Sequence, residues 1–141
     1  MNHDVYISLG SNLGNRKAYL QQAIEGIAMR VGTIVDIAPV YETPSWGFSG
    51  EAFLNTCLLC RTFLSPEEVL VQLLQIEQEL GRERMPQSKG YQSRTIDLDI
   101  LFYDDKVINT EVLTVPHPLL HRRKFVLKPL ANIDEIGRAH V

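Results

Sequence analysis

The chain has 141 residues, of which 45% are hydrophobic and 22% are charged, and its formal net charge at pH 7 is −3. This length and composition predict one soluble globular domain with a single sizeable core. The negative charge argues against nucleic acid or an anionic membrane as the main partner, although local basic clusters can still bind a small anion. No signal peptide or membrane span is visible, so a cytoplasmic protein is expected.

The first half of the chain alternates predicted strands and helices. Hydrophobic periodicity predicts a strand over 5–9, a helix over 16–29 and further strands over 31–40 and 53–63. The loop over 10–15 contains glycines but neither GxxxxGK(S/T) nor a complete GxGxxG, so a structural turn and helix N-cap are favoured over a phosphate cradle. The loop over 41–50 is rich in Pro, Gly and aromatic residues, which either line a flat ligand or cover the core.

The strand over 53–63 carries three residues with possible chemistry. Cys57 and Cys60 are three residues apart, which places the two thiols on opposite faces of a strand. Since no second cysteine pair completes a zinc site, both are interpreted as packing residues. Asn55 is polar within an apolar run, and a buried Asn requires hydrogen-bond partners from the protein or from a ligand.

A second helix and a long basic loop follow. Ser65 is predicted as the N-cap, with Pro66 and Glu68 in the first turn, and Gly81 ends the helix. The segment 82–94 is polar and broken by Pro and Gly, as in loops that close over active sites. Its four cations, which either are solvated or bind a polyphosphate, are Arg82, Arg84, Lys89 and Arg94.

The next strand combines an apolar pattern with two acids, Asp97 and Asp99. Alternation places both carboxylates on one face. The residues predicted for the opposite, core-facing side are Ile96, Leu98, Ile100 and Phe102. Two carboxylates on one face fit Mg²⁺, which takes one or two protein carboxylates and leaves its other positions to water and phosphate. Two solvated acids on an edge strand are the alternative, and the upstream cations favour the metal.

The remaining chain completes a recognisable order of elements. A turn at 104–106, short strands at 107–108 and 112–115, a Pro-His-Pro corner and a short helix before Pro129 are predicted. The order β-α-β-β-α-β with extra strands predicts an α+β ferredoxin-like sandwich: a mainly antiparallel sheet, helices packed on it and long active-site loops. One domain over 1–135 is expected.

Several motifs occurring in order give the chain a close resemblance to the 6-hydroxymethyl-7,8-dihydropterin pyrophosphokinases over 5–133. The motifs are Gly10-Ser11-Asn12-Leu13-Gly14, Tyr41-Glu42-Thr43-Pro44, Phe53-Leu54-Asn55, Glu77 with Gly81-Arg82-x-Arg84, Arg94-Thr95-Ile96-Asp97-Leu98-Asp99-Ile100, and Pro116-His117-Pro118 with Arg123-x-Phe125-Val126-Leu127. The resemblance implies transfer of pyrophosphate from ATP to the hydroxymethyl group of the pterin, with release of AMP, in tetrahydrofolate biosynthesis. It also implies a monomer with small-molecule substrates.

The resemblance also implies residue roles. Asp97 and Asp99 would hold two Mg²⁺ ions and, with Arg82 and Arg94, form the catalytic set. The implied ATP contacts are Glu77, Arg82, Arg84, Arg94, Ile100, Thr114, His117 and Arg123. The implied pterin contacts are Thr43, Pro44, Trp46, Phe53, Asn55, Tyr91 and Phe125, with the ring stacked between the two phenylalanines. No general base is assigned, because metal coordination lowers the pKa of the hydroxyl group.

Some positions depart from the common family pattern. Tyr91 stands where some relatives have Trp, Phe53 where some have Tyr, and Val112 where some have Arg. The last six residues, 136–141, match the translation of a common sequencing adapter and are expected to be a non-native tail. Two alternatives remain: a catalytically impaired, truncated homologue that binds ATP, and a ferredoxin-like RNA-binding module, which would need basic and aromatic residues across its sheet.

Overall fold

The structure, a computed structural model, describes residues 2–12, 14–43, 52–81 and 95–116. The elements within these ranges are β1 (His3–Ser11), α1 (Arg16–Arg30), β2 (Gly32–Ile37), β3 (Tyr41–Thr43), β4 (Phe53–Thr62), α2 (Pro66–Glu79), β5 (Asp97–Tyr103), β6 (Ile108–Asn109) and β7 (Thr114–Val115). Neither α1 nor α2 is long and apolar enough to cross a membrane.

The main sheet has the strand order β2-β4-β1-β5, and every pair of neighbours is antiparallel. The short strand β3 also pairs with β4, and β6 pairs with β7 in a separate small sheet. With α1 and α2 in the two long connections, this order confirms the predicted ferredoxin-like α+β arrangement.

The main core lies between the sheet and the two helices. The buried residues of this core include Leu20, Ala23 and Ile27 from α1, Val69, Leu73 and Ile76 from α2, and Val5, Ile7, Leu9, Leu58, Leu98 and Ile100 from the sheet. Since a fully buried Val, Leu or Ile side chain stabilises the fold by roughly 1.5–3 kcal/mol, this layer supplies most of the hydrophobic stabilisation. The helices cover one face of the sheet, and the opposite face is the one that carries polar residues.

Both helices begin where the sequence predicts. Ser65 Oγ accepts a hydrogen bond from Glu68 N at 3.2 Å, and a Glu68 carboxylate oxygen accepts one from Ser65 N at 3.0 Å, which forms a complete capping box. Asn15 Oδ1 accepts from Ala18 N at 3.2 Å and caps α1. The structural interpretation of the glycine-bearing loop is therefore confirmed at Asn15.

Two strand boundaries were predicted wrongly. Gly10 and Ser11, predicted as loop, belong to β1, because β4 pairs with both residues and β5 also pairs with Gly10. Residues 41–43, also predicted as loop, form β3 and pair with the start of β4. This part of β4 is free to pair with β3 because β2 covers only the second half of β4. Ladder hydrogen bonds from neighbouring strands override weak local propensity in both places.

The predicted face of Phe102 is also wrong. The register of β1 and β5 shifts between the pairs Tyr6–Phe102 and Ile7–Ile100, so Leu101 is an extra residue. Leu101 and Phe102 therefore both lie on the face away from the helices. The second apolar cluster there consists of Ala38, Cys57, Leu59 and Leu101, with Tyr6 and Phe102 packed against it.

The two cysteines are buried, are not joined by a disulfide and lie on opposite faces of β4, as predicted. Burial raises the pKa of Cys57 to about 12 and that of Cys60 to about 11. Since the thiolate is the reactive form, both residues are inert packing groups in the folded protein.

We expect neither thiol to be alkylated by iodoacetamide at pH 8 in the native protein, because both are buried and protonated. In urea both should react within minutes. Mass spectrometry of peptides from native and unfolded samples checks this, and modification of either cysteine without unfolding would contradict it.

An ion cluster ties the N-terminal end of β1 to the end of β5. Asp104 Oδ1 accepts from Asp4 N at 2.7 Å, and Asp104 Oδ2 lies 2.6 Å from His3 Nδ1. Partial desolvation alone would raise the pKa of Asp104, but the Asp4 amide, the His3 ring and the charge of Lys106 lower it below its usual value. The His3 ring also stacks on Tyr103 with centroids 5.0 Å apart.

Asp104→Asn should lower the free energy of unfolding by about 1 kcal/mol at pH 7, because it removes a charged acceptor. Asn tolerates the positive φ of 49° at this position, so the backbone is kept. As the pKa of Asp104 is lowered by folding, its contribution is present above the unfolded pKa of about 3.9 and is lost as the pH falls through the lower folded value.

Urea denaturation of both proteins at several pH values measures this difference. The matched control is Asp105→Asn, which changes the next, exposed acid of the same turn and should leave stability unchanged. A wild-type advantage that does not shrink as the pH falls below about 3.9 would contradict the assignment.

Candidate active site

Residues from three adjacent strands line up in two rows on the face away from the helices. One row across the sheet is Asn55 of β4, Gly10 of β1 and Asp97 of β5, and the next is Cys57, Ser8 and Asp99. Residues that pair directly in antiparallel strands point to the same face. With strands 4.7–4.9 Å apart, the backbones at the two ends of a row are separated by roughly 9–10 Å.

The two predicted acids share one face, as expected. Asp97 and Asp99 are half-buried, whereas Leu98 and Ile100 are buried in the helix-side core. Because Asp97 and Asp99 are two residues apart in a strand, their Cα atoms are roughly 6.6–6.8 Å apart. This is a compact pair of hard oxygen donors.

The two carboxylates are oxygen donors of the kind that Mg²⁺ prefers. Within the residues that the structure describes, no group of three or more His, Cys, Asp or Glu side chains could hold a metal ion. A pair of carboxylates is nevertheless what Mg²⁺ takes when waters and substrate phosphates complete its octahedron. The described residues therefore fit a metal ion that is shared with a phosphate ligand.

Two buried hydroxyl groups lack hydrogen-bond partners within the described part of the chain. They are Ser11 Oγ, beside Gly10 in sequence, and Thr95 Oγ1, two residues before Asp97. A buried hydroxyl without a partner costs free energy unless a ligand or water satisfies it. Both residues stand in motifs quoted above, but the sequence patterns assigned no role to either.

Glu77, predicted as a nucleotide contact, has a structural partner. It is 3% exposed on α2, and its Oε2 accepts a hydrogen bond from Leu98 N at 2.8 Å. Leu98 lies between the two acids, so this contact connects α2 to the strand segment that carries them. The sequence contains one indication that Glu77 is buried: it is an acid at a position of α2 where the helical spacing calls for an apolar residue.

The predicted pterin contacts on β4 lie beside the acids. Asn55 is 2% exposed and Phe53 is half-buried. Arg16, the first residue of α1, donates from Nη1 to Ala52 O at 2.6 Å and fixes the chain just before Phe53. The backbone of Thr43 pairs with Phe53 across the β3–β4 ladder. Sequence reasoning found these β4 residues but missed Arg16.

Two residues predicted to contact the nucleotide do not have their side chains on the sheet face that carries Asp97 and Asp99. Ile100 is 4% exposed in the helix-side core, so any ligand contact there would use the backbone of β5. The bulge at Leu101 comes after Ile100 and leaves its alternation with Asp99 intact. Thr114 is exposed in the small β6–β7 sheet.

The remaining predicted site residues lie outside the described residues. They are Pro44, Trp46, Arg82, Arg84, Tyr91, Arg94, His117, Arg123 and Phe125. The segment 136–141 lies outside them as well. Their assigned roles stay predictions.

Glu77→Ala should lower the free energy of unfolding by about 1–3 kcal/mol, because it leaves the buried Leu98 amide without an acceptor. Glu77→Gln keeps an acceptor oxygen and should cost less. Urea denaturation of both variants measures the difference. Equal losses for Ala and Gln would show that the Leu98 contact does not account for the effect.

The chain is similar to a family of known proteins. The family model for 7,8-dihydro-6-hydroxymethylpterin-pyrophosphokinase matches residues 6–135. The chain is 42% identical over 131 residues to the 2-amino-4-hydroxy-6-hydroxymethyldihydropteridine pyrophosphokinase of Aquifex aeolicus, covering 92% of this chain and 79% of the relative. It is 44% identical over 135 residues to the Bacillus subtilis protein of the same name, covering 94% and 79%.

Among solved structures, an HPPK-DHPS protein in complex with substrates matches with a TM-score of 0.73 at 17% identity. The match covers 94% of this chain and 40% of that one, so the chain corresponds to a part of the larger protein. At this identity the likeness supports the fold, and the curated relatives support the family. The chain belongs to the 7,8-dihydro-6-hydroxymethylpterin-pyrophosphokinase family.

Proposed function

We propose that the chain transfers pyrophosphate from ATP to the hydroxymethyl group of 6-hydroxymethyl-7,8-dihydropterin and releases AMP. Family membership supports the reaction. The observation that carries it in the structure is the row in which Asn55 and Asp97 share one face of the sheet on either side of Gly10. A pterin read by Asn55 can extend its hydroxymethyl group toward the acids over this short distance.

Asp97 and Asp99 would hold two Mg²⁺ ions together with the phosphates of ATP. Bound Mg²⁺ neutralises phosphate charge and lowers the pKa of a coordinated hydroxyl group. The protein's part is to keep both carboxylates on one face at a fixed spacing, which the pairing of β5 with β1 and the Glu77–Leu98 contact achieve. Phosphoryl transfer depends mainly on positioning and charge stabilisation, so this rigidity is a catalytic contribution.

The nucleotide would be bound by the residues that the family pattern supplies. Arg82, Arg84 and Arg94 would neutralise the triphosphate, since guanidinium groups bind phosphate oxygens in a bidentate manner. The further nucleotide contacts would be His117 and Arg123, with Glu77, Thr114 and the backbone of Ile100 lining the pocket. The hydrogen bond between Glu77 and the Leu98 amide, which joins α2 to β5, supports a wall made by these two elements.

The pterin would stack between Phe53 and Phe125, and Asn55 would read its polar edge together with backbone groups of Thr43 and Trp46. Pro44 and Tyr91 would complete the pocket. The position of Asn55 in the same row as Asp97 supports this role, because a carboxamide carries both a donor and an acceptor.

Two alternatives are less well supported. An RNA-binding sheet needs basic and aromatic residues across its face, whereas this face carries Asp97 and Asp99. A catalytically impaired homologue would bind ATP without turnover, so formation of AMP distinguishes it from an enzyme. A monomer in the cytoplasm is part of the proposal.

Asp97→Asn and Asp99→Asn should each lower the rate of pterin-dependent AMP formation by at least about 100-fold, as is usual when a charge-stabilising contact is lost. The rate is measured by chromatography of AMP with saturating ATP, pterin and MgCl₂. Chelation of Mg²⁺ by EDTA should abolish wild-type turnover, and added MgCl₂ should restore it.

The matched control is Asp105→Asn, which removes an exposed acid beyond the end of β5 and should keep the wild-type rate. If Asp97→Asn and Asp99→Asn fold and turn over like this control, the two carboxylates do not hold the metal. Wild-type protein that binds ATP but forms no AMP would favour the impaired homologue.

A further inference from the structure

Gly10 occupies the centre of the proposed site, although no role was assigned to it above. It lies on β1 between Asn55 of β4 and Asp97 of β5, and it is buried. A glycine in the interior of a strand weakens that strand, by roughly 0.5–1 kcal/mol relative to Ala. A glycine between two paired strands therefore requires a physical reason.

Backbone conformation does not supply the reason. The described glycines with positive φ are Gly14 and Gly81, and Gly10 is not among them. An alanine could adopt the extended backbone of β1, so the constraint on Gly10 concerns space.

The space above Gly10 is taken by Asn55. A Cβ atom added to Gly10 would lie 3.0 Å from Asn55 Oδ1 and 3.7 Å from Phe53 Cδ1. The carboxamide of Asn55 thus leans over β1 at the position where a side chain of Gly10 would stand. A methyl group there would force Asn55 Oδ1 to move by several tenths of an ångström, since such contacts are too short.

We propose that Gly10 is a positioning residue for the pterin: by having no side chain, it lets the Asn55 carboxamide lie across β1 toward the strand that carries Asp97. The inference rests on the proposed function, because it assigns Asn55 to the pterin. The inference adds that the carboxamide of Asn55 owes its position to the missing side chain of Gly10 on the neighbouring strand.

Gly10→Ala should therefore raise the KM for the pterin about tenfold while kcat changes less than threefold. A tenfold change corresponds to about 1.4 kcal/mol. Affinity for a non-hydrolysable ATP analogue with Mg²⁺, measured by titration calorimetry, should stay within twofold, because the added methyl group contacts Asn55 and Phe53 and not the acids.

A double-mutant cycle tests whether the effect passes through Asn55. In an Asn55→Ala background the carboxamide is gone, so Gly10→Ala should change the pterin KM less than twofold further. Full additivity of the two effects would overturn the proposal. The matched control is Gly26→Ala, whose Cβ would lie 3.3 Å from the flexible Ile76 side chain in the helix layer and should leave the pterin KM unchanged.

NMR on the wild-type protein provides a test that does not depend on the variant folding. On addition of the pterin to protein saturated with the ATP analogue, the Gly10 Hα and Asn55 side-chain amide signals should shift together at the same ligand concentrations. The Hα signal of Gly26, which lies in the helix layer, should not shift. If the Gly10 Hα signal does not shift when the pterin is added, the proposal is overturned.

The outcomes separate this inference from the proposed function. Wild type that forms no AMP would refute the function and this inference with it. Wild type that forms AMP, with a Gly10→Ala variant that has an unchanged pterin KM, would refute only the role of Gly10. Parallel losses of ATP-analogue affinity, pterin affinity and thermal stability would identify Gly10 as a purely structural residue.

Discussion

The pairing of β1 with both β4 and β5 is the constraint on which the rest of the structure depends. Because β1 lies between them, its register decides which residue of β4 faces which residue of β5. A shift of one residue in either ladder would turn Asn55 or the two acids toward the helices. The residues proposed to bind the pterin and the metal thus lie together because of the backbone pairing of β1 with both neighbouring strands.

The two faces of this sheet have different tasks. The helix-side face holds the main core, and Leu98 and Ile100 anchor the strand that carries the acids within it. The bulge at Leu101 then reverses the alternation, so that Leu101 and Phe102 both cover the other face beyond the acids. Apolar burial on both sides keeps β5 rigid next to a polar site, which suits chemistry that depends on positioning.

Burial of polar groups links the fold to the site. Glu77 is buried on α2 because it satisfies the Leu98 amide, and that contact places the helix against the residues between Asp97 and Asp99. Ser11 and Thr95 have buried hydroxyl groups without partners among the described residues. A buried hydroxyl group without a partner costs free energy, so these two groups are exceptions to the satisfied burial seen at Glu77.

The sequence by itself determined the helix starts, the shared face of Asp97 and Asp99, and the opposite faces of Cys57 and Cys60. These depend on local periodicity and on caps that act over three or four residues. Only the tertiary structure decided that β1 continues through Gly10, that Leu101 is a bulge, and that Glu77 bonds to Leu98. Each of these depends on a partner far away in the chain, and local sequence patterns carry no record of which strand or helix will be adjacent.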